Sequence, residues 1–270
     1  MGTTSSPTTV EDALDALARG ARVINGGTDV MVSINEGLDR VESWLSLRKV
    51  QSLRVIDKTE SQIRIGAGVT FAEIEDELAD IVPGLVQAAS TVGSRQIRNV
   101  ATIGGNVVTA SPAGDSLLPL LTYDAEVELA STRGNRTVPL SQFFTGPKRT
   151  IRLADELLTA IIIKDFTGSQ HFAKVGTRNA MVISICSICA RLDRERGVAR
   201  VAAGSVAPTP LLIRSAEQAL LQPAGSVDFS RLVAEASTPI SDHRATAEYR
   251  RHALGVLAER VHHQLWQDAL

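Results

Sequence analysis

Two Gly-Gly pairs occupy similar positions in this chain, each after an apolar segment and before a segment with helical periodicity. The first lies in Asn25-Gly26-Gly27-Thr28-Asp29, and the second lies in Thr102-Ile103-Gly104-Gly105-Asn106. Because glycine has no side chain, such a segment can adopt positive φ and let the backbone approach a bulky ligand closely. Successive amide groups in a turn, with a hydroxyl such as that of Thr102, make a concave site for an anion. The pattern therefore favours a phosphate or pyrophosphate ligand.

Each pair, taken alone, also fits an ordinary connection between a strand and a helix, because glycine is common in turns. Neither pair has the spacing of a Rossmann G-x-G-x-x-G motif or the lysine of a P-loop. Two separate loops, each with Gly-Gly followed by a polar residue, instead predict a dinucleotide held between two backbone segments.

A polar segment, residues 111–115, follows the second pair. Ser111 can serve as the N-cap of a helix whose first residue is Pro112, which would place Asp115 in the first helical turn. Two interpretations of Asp115 stay open at this point. A carboxylate there is favoured by the helix dipole, and it could equally accept hydrogen bonds from hydroxyl groups of a ligand.

Composition excludes several classes of protein. The chain has 270 residues, 44% of them hydrophobic, and a formal charge of −2, so no nucleic-acid footprint is present. It contains no run of about 18 apolar residues that would predict a transmembrane helix. The first residues, MGTTSSPTTVEDAL, lack the basic start and apolar core of a signal peptide. We expect a cytoplasmic protein.

Cys186 and Cys189 are the two cysteines of the chain and have C-x-x-C spacing. Two thiols cannot hold a four-cysteine iron–sulfur cluster. In the apolar sequence SICSICARL we expect them to be buried small residues, in a thiol-reducing compartment. The histidines show no metal-ligand spacing, and no nucleophile, base or metal triad can be nominated.

Periodicity and capping residues predict a mixed α+β chain. Thr70 followed by Glu73 is typical of a capping box, and residues 125–140 predict a hairpin around the turn-rich STRGN. Gly168-Ser169 marks a junction before a second, strongly apolar region. The other expected strands are 21–24, 41–50, 62–70, 159–163 and 198–206, and residues 170–191 are strongly apolar. The expected helices are 7–19, 71–78, 85–92, 111–123, 215–221, 228–236 and 246–265.

The sequence also resembles a known family. Ile97-Arg98-Asn99-x-Ala101 followed by TIGGN, then Ser111-Pro112 and Asp115, resembles the second flavin loop of the FAD-binding subunits of molybdenum hydroxylases. This is the family of the xanthine dehydrogenase FAD domain and the carbon monoxide dehydrogenase medium subunit. The similarity runs in the same order from about residue 10 to about residue 260. It includes GGTD at 26–29, IRIGAGVT at 63–70, FF-x-G at 143–146, G-x-VAPTP at 204–210 and SDHRA-x-AEYRR at 241–251.

The resemblance implies a fold and a division of the chain. The fold would be a two-subdomain FAD-binding region of the PCMH type over residues 1–168, with subdomains of about 1–57 and 58–168. Residues 169–270 would resemble the C-terminal domain of the carbon monoxide dehydrogenase flavoprotein, a small antiparallel sheet with helices. The closing sequence at 241–251 is interpreted as structural, fixing the last helix.

The resemblance also implies non-covalent FAD and nominates its contacts. Asp115 would accept hydrogen bonds from ligand hydroxyls, and Leu158 and Lys174 align with positions that contact the flavin. The full set of implied FAD-binding residues is Val23, Ile24, Asn25, Gly26, Gly27, Thr28, Asp29, Val30, Thr102, Ile103, Gly104, Gly105, Asn106, Ser111, Asp115, Leu158 and Lys174.

The implied partners are an iron–sulfur small subunit with two [2Fe–2S] clusters and a molybdopterin large subunit, in an (αβγ)2 assembly. Electrons would pass from the clusters to FAD here and then to NAD or another acceptor. The chain departs from many relatives at Val182-Ile183, where they have Asp-Ile, and it lacks the cysteine-bearing insertion of the [4Fe–4S] branch. Two alternatives stay open, namely a stand-alone FAD oxidase of the same superfamily and an interaction module that has lost the ligand.

Overall fold

A computed structural model describes residues 3–37, 41–225 and 228–267 of the chain. Within these residues the strands are β1 (Thr3–Ser5), β2 (Arg22–Ile24), β3 (Ser43–Ser46), β4 (Ile56–Lys58), β5 (Ile63–Gly66), β6 (Glu126–Ser131), β7 (Gly134–Pro139), β8 (Phe144–Gly146), β9 (Arg149–Thr150), β10 (Leu157–Ile163), β11 (Ser169–Val175), β12 (Cys186–Asp193), β13 (Val198–Gly204) and β14 (Leu211–Leu212). The helices are α1 (Val10–Ala18), α2 (Val30–Asn35), α3 (Phe71–Glu77), α4 (Pro83–Ser90), α5 (Arg95–Arg98), α6 (Ile103–Thr109), α7 (Leu117–Thr122), α8 (Arg214–Leu220), α9 (Phe229–Glu235) and α10 (Ala247–Gln267).

The first layer is a small parallel sheet in the order β1–β3–β2. The helix α1 connects β1 to β2, and Thr9 caps it by accepting a hydrogen bond from the Asp12 amide at 3.2 Å. Its apolar stripe, which includes Leu14 and Leu17, packs in a small core with Leu45 of β3. This layer positions the segment between β2 and α2, which carries the first Gly-Gly pair.

A five-stranded antiparallel sheet, in the order β4–β5–β10–β6–β7, forms the second layer. The predicted hairpin is confirmed as β6 and β7, and the predicted capping box at Thr70 and Glu73 is present at the start of α3. The main core lies between this sheet and the helices α3, α4, α6 and α7. Because β4 pairs with β5, the expected subdomain boundary near residue 57 falls inside this sheet's first strand.

The C-terminal region is an antiparallel sheet in the order β11–β12–β13–β14, with α8, α9 and α10 packed on one face. Its other face packs on α7 and α4, and Phe172, Cys189 and Ala202 belong to the main core. The strand β12 is therefore buried on both faces along its whole length. The predicted α+β class is confirmed by these mixed layers.

Both cysteines are buried in β12, which confirms the interpretation from sequence. Residues three apart in a strand point to opposite faces. Accordingly, Cys186 packs in the C-terminal core and Cys189 packs in the main core. Burial raises the pKa of the Cys186 thiol to about 12 and also raises the pKa of Cys189.

The long helix α10 is fixed by the closing sequence, as predicted. Arg250 is buried, and its guanidinium pairs with Asp242 at 2.7 Å and donates to the carbonyl of Ser205 at 3.2 Å. Asp242 also pairs with Arg244 at 2.9 Å. Among the helices of the described ranges, none is both long and apolar enough to cross a membrane.

Candidate functional site

The first Gly-Gly segment connects β2 to α2, as predicted. Gly27 has φ of +74°, a conformation that side chains rarely allow. Gly26 lies against the backbone of Val100, where a Cβ atom would collide with the carbonyl oxygen and approach the Cα of Ala101 at 3.0 Å. Since Val100 and Ala101 lead directly into Thr102, this packing brings the two Gly-Gly segments side by side.

The amide groups of the first segment are available to a ligand. Within the part of the chain that the structure describes, the N–H groups of residues 26–30 have no hydrogen-bond acceptor. The carbonyls of Gly27 and Asp29 accept from Met31 and Val32 at 3.0 and 3.1 Å, which fixes the turn. A turn that presents several unpaired amides on one side is an anion site. The predicted phosphate interpretation therefore fits this segment.

The second Gly-Gly segment differs from its prediction, because it is the first turn of a helix and not a loop. Thr102 is the N-cap of α6, and its hydroxyl accepts from the Gly105 amide at 3.2 Å. The amides of Ile103 and Gly104 donate to the carbonyls of Val69 and Ala67, both at 3.0 Å. These amides are thus already paired. A threonine hydroxyl can bind a phosphate or cap a helix, so the sequence alone could not distinguish these two roles for Thr102.

The two glycines of this turn serve different purposes. Neither has a positive φ. A Cβ on Gly104 would approach both the Cβ and the carbonyl oxygen of Ala67 to 2.6 Å, so glycine is required there by packing alone. Gly105 is exposed, and a Cβ there would meet only the Thr102 hydroxyl, at 3.1 Å. Gly105 is therefore the position of the pair that faces a potential ligand.

The expected helix start at Ser111 is wrong. The Ser111 hydroxyl accepts from the Ala113 amide at 3.2 Å and its carbonyl accepts from Gly114 at 2.9 Å, which makes a turn. The helix α7 begins at Leu117, so Asp115 precedes the helix instead of lying in its first turn. The turn is held from outside, because the Ser205 amide donates to the carbonyl of Pro112 at 2.8 Å. This tertiary bond has no local signal in the sequence.

Asp115 forms a buried ion pair with Lys174, at 2.6 Å between Oδ2 and Nζ. The Thr91 hydroxyl donates to the same carboxylate oxygen at 3.3 Å. The other oxygen, Oδ1, is buried and makes no hydrogen bond of normal geometry among the described residues, although the nearby Ser184 hydroxyl lowers the pKa of this carboxyl. Burial raises the pKa of Asp115, and the positive charge of Lys174 counteracts part of that rise. A buried acceptor without a donor is costly, and a ligand hydroxyl would satisfy it.

Two of the remaining predicted residues, Asn106 and Leu158, lie in different surroundings. Asn106 lies beside Asp115, because its Oδ1 accepts from the Ser116 hydroxyl at 2.8 Å. Leu158 of β10 is buried in the main core, the same cluster that contains Ile103. Thr91 and the carbonyl of Val100 contribute to the site but were not predicted, since only tertiary contacts bring them there. The carbonyl of Val182 contributes as well.

Strained backbone surrounds the turn at 111–115. Among the described residues, Ala110 at φ +49°, Asp124 at +49°, Lys148 at +56°, Met181 at +52° and Ser205 at +60° are in the left-handed region. Lys148 donates to the carbonyl of Ala110, and Ser205 donates to that of Pro112. Non-glycine residues in this region are uncommon and cluster at ligand sites, where the surrounding fold holds them. The turn is therefore preorganised by its neighbours.

These features together define a two-segment site for an anionic dinucleotide. The unpaired amides of residues 26–30, the exposed Gly105 and the unsatisfied oxygen of Asp115 fit an anionic dinucleotide that also carries hydroxyl groups. No group of three or more potential metal ligands occurs in residues 3–37, 41–225 and 228–267.

Comparisons with known proteins give the family. Residues 2–163 match the FAD binding domain in molybdopterin dehydrogenase, and residues 171–265 match the CO dehydrogenase flavoprotein C-terminal domain. The chain belongs to the family of FAD-binding subunits of molybdopterin-dependent dehydrogenases, and it is an oxidoreductase subunit.

Individual relatives support this assignment over nearly the whole chain. The xanthine dehydrogenase FAD-binding subunit of Escherichia coli O157:H7 is 36% identical, with 94% of this chain and 92% of the relative covered. The nicotinate dehydrogenase FAD-subunit of Eubacterium barkeri is 35% identical over 80% of this chain and 78% of the relative. A solved structure of carbon monoxide dehydrogenase from Hydrogenophaga pseudoflava, lacking the Mo-pyranopterin moiety, is 25% identical with a TM-score of 0.89 and covers 98% of this chain and 97% of that chain.

Proposed function

We propose that this chain is the FAD-carrying electron-transfer subunit of a molybdenum hydroxylase complex. The observation that carries the proposal is the buried Oδ1 of Asp115, which makes no hydrogen bond of normal geometry among the described residues and lies beside an ordered turn. A path of contacts connects the Asp115 turn to residues 26–30, the segment with unpaired amides. It runs from Ser116 through Asn106 and α6 to Val100 and Gly26. A ligand that joins both ends must carry hydroxyls and a phosphate, as FAD does.

Each part of the site has a distinct task in this proposal. The amides of residues 26–30 bind the pyrophosphate, and Gly105 lets it approach the start of α6. Asp115 accepts hydrogen bonds from the ribityl hydroxyls through Oδ1. Bound FAD would supply the redox chemistry by collecting single electrons and passing them on in pairs. The chain's own residues bind and orient the cofactor without forming a covalent bond to it.

The partners in this proposal are an iron–sulfur small subunit with two [2Fe–2S] clusters and a molybdopterin large subunit, assembled as (αβγ)2 in the cytoplasm. Electrons arrive from the clusters and leave to NAD or another acceptor. Support comes from the relatives, which are named as FAD subunits or medium chains of dehydrogenases and hydroxylases. A subunit with such a name belongs to a complex whose other subunits carry the remaining redox centres.

The first experiment is a titration of the purified full chain with FAD, followed by flavin fluorescence and absorbance. We expect saturation at about one FAD per chain and release of the whole flavin on denaturation, which shows non-covalent binding. Absence of any flavin binding would favour an interaction module that has lost the ligand. Affinity purification of the tagged chain from its own cells should then recover an iron–sulfur and a molybdopterin subunit.

A second experiment separates this function from that of a stand-alone oxidase. The FAD-loaded chain, free of partners, is mixed anaerobically with candidate purine, aromatic and aldehyde substrates. We expect no bleaching of the flavin until the partner subunits are added. Bleaching by a substrate in the partner-free chain would overturn the proposal. After chemical reduction of the loaded chain, addition of NAD or of an artificial acceptor identifies the electron acceptor.

A further inference from the structure

Two serine hydroxyls meet beside the Asp115 carboxylate. The Oγ atoms of Ser184 and Ser205 are 3.2 Å apart. Burial raises the pKa of Asp115, and the Ser184 hydroxyl is among the groups that lower it again. An ionised carboxylate accepts hydrogen bonds and donates none. The Ser184 proton is therefore directed toward Asp115, and in the contact between the two serines Ser205 donates and Ser184 accepts.

The backbone of Ser205 is strained at the position that joins it to the site. Ser205 follows β13 and has φ of +60°, and its amide donates to the carbonyl of Pro112 at 2.8 Å in the turn that carries Asp115. This left-handed conformation is less favourable for a residue with a Cβ than for glycine. Strain beside a ligand site points to a use for the residue that bears it. The side chain of Ser205 contacts Ser184, and that contact is the use we consider.

The buried guanidinium of Arg250 fixes the backbone of both serines. It donates to the carbonyl of Ile185, the neighbour of Ser184, and to the carbonyl of Ser205 at 3.2 Å. Asp242 balances its charge at 2.7 Å. Hydrogen bonds to a charged group are stronger than those between neutral groups. The start of β12 and the end of β13 are thus held together, and Ser184 is fully buried between them and the Asp115 turn.

We propose that Ser205 is a positioning residue of the cofactor site, whose hydroxyl holds the Ser184 hydroxyl toward Asp115 and so keeps that carboxylate oriented for the ligand. Ser205 acts through Ser184 and not by contact with the ligand. The effect on cofactor affinity rests on the proposed FAD function. The effect on the Asp115 carboxyl does not, and it is measured in the FAD-free chain.

Two substitutions of Ser205 separate its hydroxyl from its backbone. Ser205→Ala and Ser205→Gly both remove the hydroxyl, but glycine also relieves the left-handed strain. FAD affinity of the full chain should fall roughly two- to tenfold in both variants, the effect of one neutral hydrogen bond. The urea midpoint of the FAD-free chain should be higher in Ser205→Gly than in Ser205→Ala. Wild-type FAD affinity in Ser205→Gly would overturn the proposal, because affinity would then follow the strain and not the hydroxyl.

Ser131→Ala is the matched control for loss of a buried serine hydroxyl. Ser131 lies at the β6–β7 turn, where its hydroxyl donates to the Gly134 carbonyl at 3.1 Å and accepts from the Arg133 amide at 3.2 Å. This variant should lower the urea midpoint and leave FAD affinity as in wild type. An equal loss of FAD affinity in Ser131→Ala and Ser205→Ala would overturn the proposal, by showing that affinity follows stability.

A double-mutant cycle tests whether Ser205 acts through Ser184. Ser184→Ala should weaken FAD binding, and the addition of Ser205→Ala should weaken it no further, because the hydroxyl that Ser205 holds is already gone. Wild-type affinity in Ser184→Ala would overturn the proposal. Losses that multiply in the double variant would overturn it as well, since the two serines would then act independently.

The FAD-free chain supplies a readout that lost stability alone would not change. The carboxyl carbon of Asp115 is followed by ¹³C NMR as the pH is varied, and its signal is identified by its absence in Asp115→Asn. Against the rise caused by burial, the pKa of this carboxyl is lowered by Lys174, Thr91 and Ser184, the groups that face it from β11, from the end of α4 and from the segment before β12.

In Ser205→Ala the Ser184 hydroxyl is no longer held toward Asp115, so the midpoint of this titration should move to higher pH. Ser131→Ala should leave the midpoint where it is in wild type. An unchanged midpoint in Ser205→Ala would overturn the proposal. If wild type itself binds no FAD, the proposed function fails, and the titration still decides whether Ser205 acts on Asp115.

Discussion

Gly26 packs directly on the carbonyl of Val100, and no side chain could fit between the two backbones. Val100 lies two residues before Thr102, the N-cap of α6. This single contact therefore joins the segment after β2 to the start of α6, which lies far along the sequence. The anion site of residues 26–30 and the exposed Gly105 belong to one surface because of it.

Gly26→Ala should destabilise the protein and weaken FAD binding together. A Cβ atom would overlap the Val100 carbonyl, so one backbone segment must move, and overpacking of this kind typically costs about 1–3 kcal/mol. The free energy of unfolding is measured with urea in the FAD-free chain, and FAD affinity is measured by titration. Gly255→Ala in α10 is the control. There a Cβ would lie 3.6 Å from the Ser230 carbonyl, and alanine should stabilise the helix by about 0.5–1 kcal/mol.

Gly105→Val should separate ligand binding from folding. Valine at this exposed position meets little but the Thr102 hydroxyl, so we expect the free energy of unfolding to stay within about 1 kcal/mol of wild type. FAD affinity should fall roughly tenfold or more if the pyrophosphate approaches α6 here. Gly104→Val is a poor test, because it would strike Ala67 and damage the fold with or without ligand. Full FAD affinity in Gly105→Val would place the pyrophosphate elsewhere.

Local features of this protein were predictable from sequence, and contacts between distant segments were not. The capping box at Thr70 and Glu73 and the hairpin of β6 and β7 depend on residues close in the chain, and both were correct. The helix start at Ser111 was wrong because the bond from Ser205 to Pro112, which holds a turn there, leaves no local trace.

The same distinction applies to the candidate site. The Gly-Gly segments and Asp115 were nominated from the sequence, but the structural role of each residue often differed from the expected one. Gly104 is a packing requirement against Ala67, and Thr102 caps a helix. The sequence could not show that Asp115 and Lys174 form a pair, since they lie on a turn and a strand that only the tertiary fold brings together. Because Lys174 pairs with Oδ2 of Asp115, Oδ1 is the oxygen of this carboxylate that remains for a ligand.

Lys174→Met should make stability fall as the pH rises. Burial already raises the pKa of Asp115, and without the lysine charge that counteracts it the pKa should rise further. A carboxyl with a raised pKa in the folded state contributes stability that is present below its unfolded pKa and is lost as pH rises through the folded value. The deficit relative to wild type should thus be small near pH 4 and largest near pH 7, at most about 3–5 kcal/mol.

The measurement for this variant is urea unfolding at several values from about pH 4 to about pH 8. Adding Asp115→Asn to Lys174→Met should remove the extra pH dependence, because the group responsible no longer titrates. A deficit that is equal at all pH values would show that lost packing of the lysine chain, and not the unpaired carboxylate, accounts for the change.

Lys148→Gly should stabilise the protein. Lys148 is exposed and has φ of +56°, a left-handed conformation that costs a residue with a Cβ about 1–2 kcal/mol. Glycine relieves this strain but is more flexible when unfolded, so we expect a net gain of about 0.5–1 kcal/mol. Arg149→Gly, one residue later in β9, has no strain to relieve and should lower stability. A loss of stability in Lys148→Gly would show that its side-chain contacts outweigh the backbone strain.

The two thiols should be inert in the folded protein. Burial raises the pKa of Cys186 to about 12, so at pH 8 only about one molecule in ten thousand carries its thiolate, the reactive form. Cys189 is fully buried on the opposite face of β12, and its pKa is raised as well. A thiol reagent such as Ellman's reagent should therefore label the native chain only as fast as it unfolds, and should titrate 2 thiols once the chain is denatured. Ser61→Cys, which adds a thiol at an exposed turn, should react at once and serve as the control. Rapid labelling of the wild-type native chain would mean that β12 opens locally, and would contradict its burial between the two cores.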